Sequence, residues 1–161
     1  MQLPATIAIT GIGATAFIDA WTWLRTRWLR VPATDFALVG RWLGHMPRGD
    51  FIQRPVSAAA PVRGEGVLGW SVHYLIGVAF AALLWLCAGD AWFLAPTPGP
   101  ALVVGVATVL APWLILQPGM GAGLFARRAA KPWQARFHSL LTHALFGLGL
   151  YLTALLLTRL A

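Results

Sequence analysis

The sequence predicts an all-α, polytopic integral membrane protein: a four-helix transmembrane bundle with a short interfacial amphipathic helix in its first cytoplasmic loop. Composition supports this class, because 58% of the residues are hydrophobic and only 11% are charged. A soluble domain has about 25% charged residues. The mean hydropathy is +0.70. Four apolar stretches also approach the length of about 20 residues that crosses a bilayer as a helix.

The four predicted spans form one transmembrane domain over residues 1–161. They extend from about Leu3 to Leu24, Val67 to Cys87, Pro100 to Leu116 and Phe137 to Leu157. The first apolar stretch has no basic segment before it and is followed by Arg25 and Arg27, so it is expected to be an uncleaved anchor. Cys87 is the single cysteine, which excludes an internal disulfide and a cysteine-based metal cluster.

The basic residues predict the orientation of the chain. Of the 12 Lys and Arg residues, all but Arg159 fall in two loops, residues 25–66 and 118–136. Basic loops remain in the cytoplasm, so both termini are predicted to lie outside. The net charge of +7 is explained by this asymmetry, and no nucleic-acid partner is expected. Membrane lipids are the expected partners.

The first loop contains the pattern of a short helix outside the spans, from about Asp35 to Met46. Thr34 and Asp35 form a typical helix start. Apolar residues then recur at helical spacing, whereas Arg41 and His45 are four residues apart on another face. This pattern predicts an amphipathic helix on the cytoplasmic surface, with Arg41 and His45 turned toward the mouth of the bundle.

Three ionisable residues fall inside predicted spans at similar depths. Helical rise places Asp19, His73 and His143 about 9–12 Å inside the cytoplasmic boundary. Gln117 closes the third span on the same side. Buried ionisable groups in a bilayer are costly and usually functional. We therefore predict a cytoplasm-facing polar pocket formed by Asp19, His73 and His143, with Arg41, His45 and Gln117 near its opening.

Several uses of this pocket remain open. It could bind a small ligand, an ion or a lipid head group, in a transport protein or otherwise. It could be an enzyme site using Asp19, His73 and His143 as acid and base or as metal ligands. Alternatively, these residues could only form hydrogen bonds that hold the helices of a structural or accessory subunit together. No cofactor is assigned, and no local metal-binding motif is present. A bundle of four helices would be expected to form a homodimer if it transports its ligand.

A second cluster lies in the third loop. Three glycines between Gly119 and Gly123 precede Arg127, Arg128 and Lys131. Exposed backbone N–H groups and Arg side chains could hold a phosphate or a lipid head group. The alternative is that these cations serve only topology and attraction to anionic lipid.

The motifs together resemble a known family. They include the segment from Gly11 to Thr15 with Asp19 and Trp21, the segment from Ala37 to His45, and the pairs Gly64-Glu65, Gly69-Trp70, His73-Tyr74, Gln117-Pro118 and Thr142-His143, ending at Gly149. This pattern resembles a bacterial membrane family catalogued as domain of unknown function 2938 (DUF2938). The resemblance implies a small protein of the bacterial inner membrane, and it brings no assigned activity or catalytic residue.

Overall fold

The computed structural model describes residues 2–29 and 33–160, so Arg30 of the predicted first loop lies outside the described residues. The described chain is helical and contains no strand. We number its longer helices α1 (Leu3–Leu29), α2 (Phe36–His45), α3 (Glu65–Leu94), α4 (Pro98–Gly119) and α5 (Pro132–Leu160). Of these, α1, α3, α4 and α5 are long and apolar enough to cross a membrane, which confirms the predicted all-α class.

Each of these four helices contains its predicted span and extends beyond it. The helix α1 continues past Leu24 to Leu29, and α5 begins at Pro132 instead of Phe137. The predicted bounds were set by the first charged residues, which mark the edge of an apolar run. A charged residue such as Arg25 or Arg136 does not end a helix, because it can remain helical where the chain leaves the hydrocarbon layer.

Two of the long helices are irregular. The backbone of α3 leaves helical geometry at Gly89, where φ is 74°, a left-handed value that glycine adopts without a steric penalty. The helix α4 is a regular α-helix over Pro98–Ala107 and widens into a π-helical turn over Pro112–Leu116. Pro112 has no N–H to donate to the preceding turn, and the N–H of Gln117 donates to the carbonyl of Pro112, five residues back.

The chain divides into two compact units. The first unit comprises Met1–Ala33, Tyr74–Thr108 and Leu141–Ala161, and the second comprises Thr34–His73 and Val109–Leu140. The first unit contains a hydrophobic core to which four helices contribute. Its buried members are Ala14, Ile18, Ala81, Leu84, Trp92, Phe93, Ala101, Val104, Phe146, Leu150 and Ala154. The small residues among them keep the helix axes close, as in other membrane bundles.

Glycines set the helix crossings of the first unit. A Cβ built on Gly11 would come within 2.7 Å of the carbonyl oxygen of Gly77 in α3. A Cβ on Gly105 would overlap the backbone of Gly147 in α5. Real Cβ atoms do not approach backbone this closely, so both crossings require glycine. Gly77 and Gly147 each follow a histidine, His73 or His143, by four residues. Small residues at such positions allow helices to approach closely.

In the second unit, α2 begins where the sequence predicts. Asp35 is its N-cap, and the Asp35 carboxylate accepts a hydrogen bond of 2.9 Å from the N–H of Ala37. Such a cap satisfies a backbone donor that the first turn leaves free. Gly40 and Gly69 then bring α2 against the first turns of α3. A Cβ on Gly40 would overlap the carbonyl of Glu65, and one on Gly69 would overlap the carbonyl of Phe36.

The rest of the first loop is held by backbone hydrogen bonds. The N–H of Gln53 donates to the carbonyl of Gly119 over 2.8 Å, and the N–H of Val56 donates to the carbonyl of Met120 over 3.2 Å. The indole N–H of Trp42 donates to the carbonyl of Phe51 over 2.8 Å. A segment that looks irregular in sequence thereby has its backbone groups paired, as a partly buried loop requires.

Candidate functional site

Asp19 of α1 and Tyr74 of α3 face each other in the first unit. The Tyr74 hydroxyl donates a 2.9 Å hydrogen bond to the Asp19 carboxylate. A carboxylate on an apolar helix needs such a donor because an unsatisfied charge is costly in a low-dielectric layer. The sequence analysis singled out Asp19 but not Tyr74. Tyr74 could have been found from its position, because it directly follows His73, whose predicted depth is close to that of Asp19.

His143 of α5 has its partner on α4, also in the first unit. Its Nδ1 lies 2.9 Å from the hydroxyl of Thr108, and that hydroxyl donates to the carbonyl of Gly105 over 2.6 Å. A threonine hydroxyl has one hydrogen. Since Gly105 receives that hydrogen, Nδ1 of His143 must be the donor to Thr108. The hydrogen on Nδ1 leaves Nε2 as the acceptor of the neutral ring.

His73 belongs to the second unit, where it lies among aromatic rings. It stacks on Phe36 with ring centroids 4.0 Å apart, and it meets Trp70 edge-on with centroids 5.7 Å apart. Phe36 is the first residue of α2, so these rings join the start of α2 to α3. Aromatic pairs in such geometries stabilise beyond their buried area.

Gln117 lies at the end of α4 in the second unit. Its side-chain nitrogen donates a 3.3 Å hydrogen bond to the hydroxyl of Ser139 in α5. Its side-chain oxygen is buried and has no hydrogen-bond partner among the described residues. A buried acceptor without a donor is unfavourable. This oxygen could therefore accept a hydrogen bond from water or a ligand group.

Arg41 forms a two-pronged ion pair with Glu65. Its Nη2 and Nε lie 2.7 and 2.9 Å from the two carboxylate oxygens. Both side chains are mostly shielded, with 14% and 17% of their areas exposed. The hydrogen bond to Glu65 raises the pKa of Arg41 above its usual value. Parallel N–H···O bonds of this kind fix orientation as well as charge.

Arg41 and His45 also hold the loop that precedes α3. The Nη1 atom of Arg41 donates to the carbonyls of Ser57 and Ala59 over 3.4 and 3.3 Å. The Nε2 atom of the buried His45 lies 2.9 Å from the carbonyl of Ala60. The two residues share one face of α2, as their spacing predicted, and that face contacts residues 57–65. Their place at the opening of a ligand pocket stays a prediction.

The predicted pocket residues are distributed over both units. Asp19 and His143 fall in the first, and Arg41, His45, His73 and Gln117 fall in the second. Within residues 2–29 and 33–160, no group of three or more His, Cys, Asp or Glu side chains is arranged to hold a metal ion. The metal alternative and a shared ligand for Asp19, His73 and His143 both stay predictions.

A basic pocket lies within the second unit, and the sequence did not predict its lining. It is open, has a volume of about 560 Å³, and is lined by Trp113, Leu124, Phe125, Arg127 and Arg136. Arg127 and Arg136 have no carboxylate partner among the described residues. The pocket therefore combines uncompensated positive charge with an apolar wall.

An unusual loop forms one wall of the basic pocket. Phe125 and Ala126 both have left-handed backbone conformations, with φ of 52° and 53°, which are strained for residues other than glycine. The Nε of Arg136 donates to the carbonyl of Phe125 over 2.7 Å. The Phe125 ring lies 5.4 Å from the ring of Trp113, between centroids. These contacts hold the strained turn and fix the Arg136 guanidinium.

The polar groups of the pocket differ in accessibility. The indole N–H of Trp113 has no acceptor among the described residues, but this atom is closed to solvent. A ligand in the pocket would therefore not reach this N–H. Arg127 was predictable from its place in a basic loop, whereas Trp113, Phe125 and Arg136 were not, because the turn at Phe125 brings these residues together.

Comparisons with known proteins identify the family of this chain. No curated protein and no solved structure gives a significant match to this chain. A family model described as a protein of unknown function, DUF2938, matches residues 7–157. The match covers nearly the whole chain and includes most or all of each membrane-capable helix and the loops between them. The chain therefore belongs to the DUF2938 family.

Proposed function

We propose that this protein is a membrane-embedded binding protein whose basic pocket holds the anionic part of a small ligand. The observation that carries the proposal is the pair Arg127 and Arg136 on one pocket of about 560 Å³, without a carboxylate partner among the described residues. A guanidinium presents a planar fork of N–H donors that matches phosphate and carboxylate oxygens. An anion would therefore be the favoured occupant.

The position of the pocket in the chain also supports this function. Trp113 belongs to the membrane-capable helix α4, Arg127 to the loop that follows it, and Arg136 to the start of α5. Both arginines fall within residues 118–136, which are predicted to be cytoplasmic. A ligand bound there would lie at the membrane surface and be reached from the cytoplasm. Transport of the ligand would further require Asp19, His73 and His143 to line its path. None of the described contacts favours the enzyme alternative, so binding is the function that we propose.

A thermal-stability assay in non-ionic detergent tests the proposal. The probes are inorganic pyrophosphate and a phosphate-bearing lipid, phosphatidic acid. A ligand that binds only the folded state raises the melting temperature, so at least one probe should stabilise the wild type and not the double variant R127Q/R136Q. The control is R48Q/R63Q, which removes two exposed Arg side chains from the other basic loop. Equal responses of wild type and R127Q/R136Q to both probes would refute the proposed function.

A further inference from the structure

We infer that the basic pocket binds an anionic phospholipid, with the phosphate against Arg127 and Arg136 and an acyl chain against the apolar surface of α4. This inference rests on the proposed function and specifies the class of its ligand. Its evidence is that a residue of a membrane-capable helix lines the pocket, that guanidinium donors are free, and that the pocket wall is apolar.

The pocket is continuous with a membrane-capable helix. Trp113 lines the pocket, and Leu110, one helical turn earlier on the same face of α4, is 48% exposed. Exposed apolar side chains on a helix that crosses a membrane contact acyl chains. Tryptophan also favours the boundary between acyl chains and head groups. A lipid could therefore place its phosphate in the pocket while its acyl chain stays in the bilayer.

The donors fit a phosphate group. The Nε of Arg136 is engaged by the carbonyl of Phe125, so the guanidinium is oriented, and its terminal nitrogens have no partner among the residues that the structure describes. Gly123 leaves room for the second cation, since a Cβ there would come to 3.0 Å from Cγ of Arg127. Two Arg side chains supply enough N–H groups to pair several phosphate oxygens.

The wall of the pocket favours a lipid over a soluble phosphate. Leu124 and Phe125 are 43% and 39% exposed, and both line the pocket. A soluble phosphate would leave this apolar surface in water. The glycerol and upper acyl carbons of a phospholipid would instead cover it and remove this apolar surface from water, which is favourable.

A competing explanation is diffuse attraction. Any basic loop beside an anionic membrane attracts lipid without a defined site. In that case Arg48 and Arg63, which are also exposed and belong to the other basic loop, should contribute as much as Arg127 and Arg136. A defined site would instead depend on the two pocket arginines and on the apolar wall.

Native mass spectrometry of the protein in non-ionic detergent, titrated with phosphatidic acid or zwitterionic phosphatidylcholine, tests the inference. The wild type should retain one phosphatidic acid at concentrations where phosphatidylcholine does not bind. Because charged hydrogen bonds to a phosphate are lost, R127Q/R136Q should bind at least about tenfold more weakly. The control R48Q/R63Q should bind like the wild type. Circular dichroism checks that each variant is folded.

A second variant separates a lipid from a soluble anion. Leu124→Ser keeps both arginines and removes part of the apolar wall, so it should weaken binding of phosphatidic acid more than it weakens binding of pyrophosphate; an equal loss for both probes would contradict the lipid inference. If the wild type binds pyrophosphate at the two arginines but not phosphatidic acid, the lipid inference fails and the proposed function stands. If it binds neither, both fail. An equal loss in R48Q/R63Q and R127Q/R136Q would show diffuse attraction and overturn the inference.

Discussion

Arg41 on α2 and Glu65 at the first position of α3 are joined by two parallel hydrogen bonds of 2.7 and 2.9 Å. The same carboxylate accepts the N–H of Val62 over 2.9 Å, and Arg41 also reaches the carbonyl of Ala59. One guanidinium therefore connects α2, the loop before α3 and the start of α3. Loss of Arg41 would leave several acceptors of the second unit without their donor.

The first prediction concerns this ion pair. Arg41→Lys should lower the melting temperature in detergent although it keeps the charge, because a lysine ammonium cannot form two parallel bonds with a carboxylate. Glu65→Gln should also destabilise. The double variant R41K/E65Q should lose less than the sum of the single losses, since each change disrupts the same interaction. Additive losses would show that the pair does not act as a unit.

The helices were predictable from the sequence because their signals are local. A long apolar run predicts a span whatever its neighbours are, and Asp35 caps α2 through the N–H of Ala37, only two residues away. The helix ends were less predictable. The first charged residue marks where hydrocarbon ends, whereas α1 continues through Arg25 and Arg27 to Leu29.

The partners of the candidate residues were not predictable, because they are distant in the chain. Asp19 and Tyr74 are 55 residues apart, and Thr108 and His143 are 35 apart. Depth arguments place such residues in one layer but do not give the rotation of each helix. The basic pocket depends on the left-handed turn at Phe125, a conformation for which phenylalanine gives no sequence signal.

The second prediction concerns the contact of α2 with α3. Gly40→Ala should destabilise the protein by about 1–3 kcal/mol, because the added Cβ overlaps the carbonyl of Glu65 and forces the two helices apart. Gly66→Ala is a matched control in the same region, since its Cβ would meet no atom within 4 Å. Its effect should be neutral or stabilising by at most about 1 kcal/mol. Reversible unfolding in mixed detergents measures both, and equal effects would contradict the tight crossing.

The third prediction concerns Thr108 and His143. Thr108→Val keeps the shape of the side chain but leaves the Nδ1–H of His143 without its acceptor, so it should cost on the order of 1 kcal/mol, as other hydrogen bonds in membrane bundles do. Thr108→Ser keeps the hydroxyl and should retain the bond. Nitrogen-15 NMR of labelled histidine should show His143 protonated at Nδ1 in the wild type. An Nε2-protonated neutral ring would contradict the donor assignment.

The fourth prediction concerns orientation, which decides from which side the basic pocket is reached. Eleven of the 12 basic residues lie in loops 25–66 and 118–136, so these loops should face the cytoplasm and the short connection between α3 and α4 should lie outside. The natural cysteine is removed by Cys87→Ser, and one cysteine is then introduced by Thr97→Cys or Arg63→Cys. Both positions are exposed. In sealed cells, a membrane-impermeant maleimide should label the Thr97→Cys variant at once and the Arg63→Cys variant only after permeabilisation. The reverse pattern would invert the topology and place the pocket, with its lipid phosphate, on the outer side of the membrane.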